Sequence, residues 1–152
     1  VSRKNVTGIV GIIAVTDDRR LLLVEQHRPP VNANVIEIPA GLAGDVSGSE
    51  HEELLAAAKR ELLEETGYEA GEIRELTPCT TSAGICDEII TLFLATRLKR
   101  KSKTLGDGSE AITLHEVPLG EVKGFLDANV REGALVALKV YAALYFAEID
   151  AK

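Results

Sequence analysis

The order of strand-like and helix-like segments predicts an α+β fold, an α/β/α sandwich built on a mixed β-sheet. Three observations carry that expectation. Apolar, β-branched runs recur along the chain, helical patterns interrupt them without the strict alternation of a doubly wound parallel sheet, and turn signals separate them. The chain has 152 residues, of which 45% are hydrophobic and 27% charged, the size and balance of one soluble globular domain. No internal repeat, low-complexity stretch or long Pro/Ser/Gly linker divides it, so residues 1–152 are expected to form a single domain.

Thr7 to Val15 is an apolar, β-branched run, Asp17-Asp18 is a turn signal and Leu21 to Gln26 is a second run, so the chain is expected to open as a hairpin. After Pro29-Pro30 comes a short strand, Val35 to Ile38, and then a break at Pro39-Ala40-Gly41. Ser49 to Thr66 reads as a helix: Ser49 and Glu52 form a capping box, and Gly67 stands where a helix end takes up a left-handed conformation. Leu55, Ala58, Leu62 and Leu63 give it an apolar face at helical spacing. Glu72 to Cys79, Glu88 to Leu98 and Ala111 to Val117 read as strands. Pro118 opens a helix through Ala128, and Ala134 to Ala147 is a closing amphipathic helix. The rings of Phe125, Tyr141, Tyr145 and Phe146 fall in these two helices and are expected in the core, whereas Tyr68 and Phe93 are candidates for stacking on a base.

Seventeen basic against 24 acidic side chains give a net charge of -7, which argues against binding nucleic acid or an anionic membrane. No apolar run reaches the ~18 to 20 residues of a membrane span, and no signal pattern opens the chain, so a cytoplasmic protein is expected. Cys79 and Cys86 lack metal-ligand spacing and are expected as buried, reduced thiols. The basic run Arg97 to Lys103 reads as a solvated loop.

Glu61, Glu64 and Glu65 crowd one helix face at three- and four-residue spacing, which costs ~0.2 to 0.5 kcal/mol per like-charged pair. They also stand in the helix's final turns, where the macrodipole disfavours each carboxylate by roughly 0.3 to 1 kcal/mol. Arg60 can pair with Glu64 four residues on, leaving Glu61 and Glu65 without a cation in the helix. An acidic helix face is ordinarily a solvated one. Here its position at the unfavourable end, after a Pro39-Ala40-Gly41 loop that exposes backbone carbonyls, points instead to a hard-cation site. Magnesium uses one or two carboxylates, waters and substrate phosphate oxygens.

The stretch Arg60-Glu61-Leu62-Leu63-Glu64-Glu65-Thr66-Gly67-Tyr68, with Glu52 eight residues before Arg60 and Gly41 as a leading glycine, resembles the signature of the Nudix hydrolases. Two departures stand out: Tyr68 replaces an aliphatic residue, and the segment from Gly41 to Glu52 is five residues longer than the signature, with Gly44 to Gly48 taking up the difference. Val24 to Pro30 followed by Glu37 to Gly41 is similar to the ADP-ribose pyrophosphatase branch, as is Ser82-Ala83-Gly84 followed by Asp87-Glu88, although Ala83 replaces that branch's proline.

The resemblance implies a Nudix fold and magnesium-dependent hydrolysis of a diphosphate linkage in a nucleoside diphosphate derivative, ADP-ribose or another nucleotide sugar first. Nucleoside triphosphates or dinucleoside polyphosphates are the alternative substrates, and a non-catalytic ligand sensor is the alternative role. By matching positions, Glu61, Glu64, Glu65 and the Ala40 carbonyl would be ligands of Mg2+, with Mn2+ a possible substitute. Arg28, Glu37 and Glu88 would meet substrate, and Gly41, Glu52, Arg60 and Gly67 would support the motif. The branch's general base comes from a loop before a late strand, which makes Glu110 the candidate, with Glu88 or Glu64 as alternatives. The expected partner is a small nucleotide, with neither nucleic acid nor membrane, and the expected assembly is a homodimer.

Overall fold

The computed structural model describes residues 8–44, 53–103 and 111–151. Among the described residues, eight strands and three α-helices follow one another as β1 (Gly8–Ala14), β2 (Arg20–Arg28), β3 (Ala33–Glu37), β4 (Ala40–Ala43), α1 (Leu54–Thr66), β5 (Tyr68–Thr80), β6 (Ile89–Arg100), β7 (Thr113–Pro118), α2 (Val122–Arg131), β8 (Leu135–Val136) and α3 (Leu138–Asp150). They build two four-stranded mixed sheets, ordered β4-β1-β6-β5 and β7-β2-β3-β8, where one mixed sheet was expected.

Both sheets lie between helices. Successive residues of β1 point to opposite faces. Val10, Ile12 and Ala14 pack with Ala57, Ala58 and Leu62 of α1, while Ile13 packs on the other side with Val122 and Leu126 of α2 and Val140, Ala143 and Ala147 of α3. The result is the expected α/β/α layering. With both faces covered, a strand such as β1 reads as a continuous apolar run.

The opening hairpin survives only at its tip. Thr16 and Arg20 close the turn, Arg19 adopts φ 61° and Val15 bridges Leu21. Beyond that point the strands part: β1 pairs with β4 and runs parallel to β6, whereas β2 pairs with β3 and β7. The expected break at Pro39-Ala40-Gly41 is present but shorter, with Ile38 and Pro39 separating β3 from β4. Ala40 and Gly41 belong to β4, paired with Gly11 and Val10, and the Ile12 N–H donates to the Pro39 carbonyl at 2.8 Å. Glycine is a poor strand former, but pairing with the edge of β1 overrides that local preference at Gly41.

Helix α1 begins at Leu54, with Glu53 as its N-cap and no side-chain cap bond; Ser49 and Glu52 lie outside the described residues. Its buried face keeps Ala58 and Leu62 of the expected apolar stripe but not the other two. Leu55 and Leu63 are partly exposed, and the buried stripe comprises Ala57, Ala58, Glu61, Leu62, Glu65 and Thr66. Two of the crowded carboxylates therefore face inward.

Other boundaries move as well. The basic run continues β6 as far as Arg100, and Arg97 (φ 52°) sits opposite Gly71, so of the expected loop only residues 101–103 lie beyond the strand. The closing helix starts at Leu138, after the short strand β8. Tyr141 and Tyr145 are exposed on its outer side, while Phe125 and Phe146 pack against the core as expected. Phe93 is buried between β1 and α1, which removes it as a stacking ring. Cys79 and Cys86 are free thiols but only half-buried. No helix among the described residues is long and apolar enough to cross a membrane.

Candidate active site

Gly67 ends α1 with φ 74°, its N–H donating to the Leu63 carbonyl at 2.8 Å, so the last helical turn is fixed just before β5 starts. The side chains of Glu61 and Glu65 leave the buried face of that end and meet β4. A Cβ at Gly41 would lie 2.0 Å from the Glu61 carboxyl carbon, so only glycine lets the carboxylate approach the strand. One residue earlier, the Ala40 N–H donates to Glu65 Oε2 at 3.1 Å.

Arg60 ties the helix to the same strand. Its guanidinium donates to the Leu42 carbonyl at 2.9 Å, to Glu61 Oε1 at 2.9 Å and to Glu64 Oε2 at 3.3 Å. The expected Arg60–Glu64 pair is present, but Arg60 also neutralises Glu61, which the spacing rule for helical pairs had left uncompensated. Adjacent residues do not share a helix face; the contact exists because the long arginine side chain bends toward β4. Glu64 itself is 41% exposed and stands at the rim.

Burial pushes the Glu65 carboxyl up from its ordinary 4.5 to about 8. The Ala40 N–H opposes that shift, the charges of Glu61 and Glu37 add to it, and Lys139 lowers it. Those couplings join a second cluster to the first. Glu37, the last residue of β3, is 6% exposed. Arg28, at the end of β2, donates from Nε and Nη2 to Glu37 Oε2 at 2.8 and 2.7 Å, and Lys139 Nζ lies 3.2 Å from Glu37 Oε1.

The expected substrate-binding pair Arg28 and Glu37 is thus brought together, beside the expected ligands Glu61 and Glu65. Lys139 is a residue that sequence reasoning missed. A signal was present: a lysine in the first turn of α3, the end that the macrodipole makes unfavourable to a cation by ~0.3 to 1 kcal/mol, in a helix with no other basic residue. Glu88 stands just before β6 and accepts a hydrogen bond from the Thr81 hydroxyl at 3.1 Å. Glu110 and Glu52 lie outside the described residues, as does the insertion from Asp45 to Gly48.

Among the described residues no group of three or more His, Cys, Asp or Glu side chains is arranged to hold a metal ion. The donor set nevertheless suits a hard cation that needs few protein ligands. Glu61 and Glu65 supply carboxylate oxygens from a buried face, and the space beside Gly41, which has no Cβ, admits the Glu61 carboxylate against the strand. Magnesium completes its octahedron with water and phosphate. Ala40 contacts this cluster through its N–H to Glu65.

A profile of the NUDIX domain matches residues 7–139. The ADP-ribose pyrophosphatase of Bacillus subtilis (strain 168) is 39% identical over 123 residues, covering 80% of this chain and 64% of that protein. A methanol dehydrogenase activator from Bacillus methanolicus is 38% identical over 120 residues, or 78% of this chain and 62% of that protein. A solved structure described as an ADP compounds hydrolase superposes with a TM-score of 0.66 at 23% identity, covering 79% of this chain and 61% of that one. The chain therefore spans less than two thirds of the length of these relatives.

Proposed function

The chain belongs to the NUDIX domain family, and on that premise we propose that it hydrolyses the diphosphate linkage of a nucleoside diphosphate derivative, ADP-ribose or another nucleotide sugar. One observation carries the reading: Glu61 and Glu65, two carboxylates at the unfavourable end of α1, are buried against the glycine strand β4 instead of being left in water. The ADP-ribose and GDP-mannose pyrophosphatases among the relatives support the substrate class.

Glu61 and Glu65 would hold Mg2+, or Mn2+ in its place, with Glu64 at the rim and the Ala40 carbonyl as a further donor. Bound there, the cation supplies charge neutralisation at the phosphate oxygens and acidifies a water molecule. The chain's own groups do the rest. Arg28 faces the diphosphate from the end of β2, and Gly41 keeps Glu61 in place by leaving room for it. Arg60 holds α1 to β4 so that the two clusters keep their spacing. Glu110 takes the proton of the attacking water. The water oxygen bonds to phosphorus as the bond to the bridging oxygen breaks, leaving two monophosphates. A cytoplasmic homodimer belongs to the same reading.

The test is a turnover screen over ADP-ribose, GDP-mannose, other nucleotide sugars, dinucleoside polyphosphates and nucleoside triphosphates, with Mg2+, with Mn2+ and with chelator. Efficient, metal-dependent cleavage of a nucleotide sugar to two monophosphates is expected. Turnover of triphosphates alone would overturn the substrate class, and full turnover in chelator would overturn the metal role.

A further inference from the structure

Helix α3 is apolar on two opposite faces. Val140, Ala143 and Ala147 are buried toward the sheets. On the other side Leu138, Tyr141, Tyr145 and Ile149, spaced three, four and four residues apart, form one stripe and are 81%, 53%, 59% and 51% exposed. Of the charged residues in the helix, Lys139 pairs with Glu37 and Asp150 with Arg74, so only Glu148 stands as an unpaired charge beside the stripe. A helix that is apolar all round is covered all round. We infer that a second copy of this chain covers the stripe, with the two α3 helices packed antiparallel about a twofold axis. The inference gives the homodimer of the reading above its surface; it rests on that assembly and is independent of the substrate.

The stripe is complementary to itself. In the antiparallel arrangement Tyr141 meets Tyr145 of the second copy and Leu138 meets Ile149, and each contact occurs twice, as an isologous interface requires. The small, half-buried Ala142 between the two tyrosines lets the helices approach to the ~8 to 10 Å of packed pairs. Charge matches in the same register. Glu148 stands near the C-terminal end of its own helix, where the macrodipole disfavours a carboxylate, while the N-cap of α3 is Ala137, which provides no side-chain cap. Antiparallel pairing lays each Glu148 beside the uncapped N-terminus of the other copy. At ~200 Å² for a whole large side chain, the four stripe residues expose roughly 450 Å² per copy. With Leu135 of β8, 47% exposed just before the helix, two copies reach about 1,000 Å², where specific interfaces begin and dissociation in the micromolar range is expected. An anionic lipid surface suits the stripe less, because the chain carries a net charge of -7 and the stripe is flanked by a carboxylate in place of the basic residues of a membrane-surface helix.

Sedimentation velocity over a dilution series through the micromolar range tests the inference, on the wild type, Tyr141→Glu, Glu148→Lys, and Tyr141→Glu combined with either Tyr145→Arg or Tyr145→Glu. The wild type should pass from dimer to monomer on dilution, and Tyr141→Glu should weaken the dimer at least ~30-fold, the scale of a lost aromatic anchor. Tyr145→Arg in the Tyr141→Glu background should give a dimer at least tenfold tighter than Tyr145→Glu in that background, because residues 141 and 145 of the two copies face each other. Glu148→Lys should weaken the dimer about fivefold while raising the Tm of the dilute monomer, since a cation suits the end of its own helix. A wild type that is monomeric throughout would overturn the inference, including one that instead binds vesicles of phosphatidylcholine and phosphatidylserine. So would a dimer that none of the substitutions weakens, or equal effects of Arg and Glu at position 145. Should the Tyr141 variants fail to fold, Glu148→Lys decides through the opposite signs of its two effects. A monomeric wild type that cleaves nucleotide sugars would sink this inference and leave the activity standing; a dimer weakened as described that cleaves none would do the reverse.

Discussion

Gly41 and Glu61 occupy one space: the position of a Cβ on the strand residue is 2.0 Å from the carboxyl carbon of the helix residue. Neither backbone can yield easily, since Gly41 is paired to Val10 and α1 is pinned to β4 by Arg60. Gly41→Ala should therefore displace the Glu61 carboxylate and lower turnover by ~100-fold or more, the scale seen when one preorganised group of a site is lost. Adding Glu61→Ala to Gly41→Ala should recover thermal stability without recovering activity. Normal turnover in Gly41→Ala would show that Glu61 is not needed where it stands.

Glu65 links stability to pH. Its folded-state carboxyl titrates near 8, against an ordinary 4.5. A group raised in this way binds more protons folded than unfolded. Its contribution is complete below about 4.5 and is lost as pH rises through about 8. In metal-free buffer the wild-type Tm should fall between pH 5 and 8 relative to Glu65→Gln, which should show a flatter profile. The same substitution should abolish turnover, and wild-type affinity for Mg2+ should rise with pH because the ion displaces a proton. Parallel Tm profiles for the two proteins would refute the burial argument.

The general base is tested by substitution in the segment before β7. Glu110→Gln should lower kcat by roughly 100-fold or more with little change in metal affinity, the range for removal of a general base. If Glu110→Gln turns over normally while Glu88→Gln or Glu64→Gln collapses, the proton goes elsewhere.

Tyr68, where the signature has an aliphatic residue, joins the two sheets. Its hydroxyl donates to Glu116 of β7, and the Arg100 guanidinium lies 5.4 Å from the ring centroid. Burial, with Glu116 beside it, raises the phenol's pKa, so the hydroxyl stays protonated and donating. Tyr68→Phe and Glu116→Gln should each lower stability by ~0.5 to 1.5 kcal/mol in chemical denaturation. The double variant should cost less than the sum of the two, as residues in contact do. Additive effects would mean that the bond contributes nothing.

What the chain determines locally was legible in it. The end of α1 at Gly67, the strands around β2, β3, β5, β6 and β7 and the crowding of Glu61, Glu64 and Glu65 follow from periodicity, capping and spacing, which are properties of neighbours in sequence. The tertiary structure decided what neighbours cannot. It parted β1 from β2, recruited Ala40 and Gly41 into β4, and turned Glu61 and Glu65 inward while leaving Glu64 at the rim. Local rules read carboxylates as solvated and Ala40-Gly41 as part of a break. Pairing with a free strand edge, and the room a missing Cβ leaves, outweigh those preferences only once distant segments meet. Lys139 shows the same limit: its partner Glu37 lies far back in the chain, and only the pairing of β8 with β3 sets them side by side.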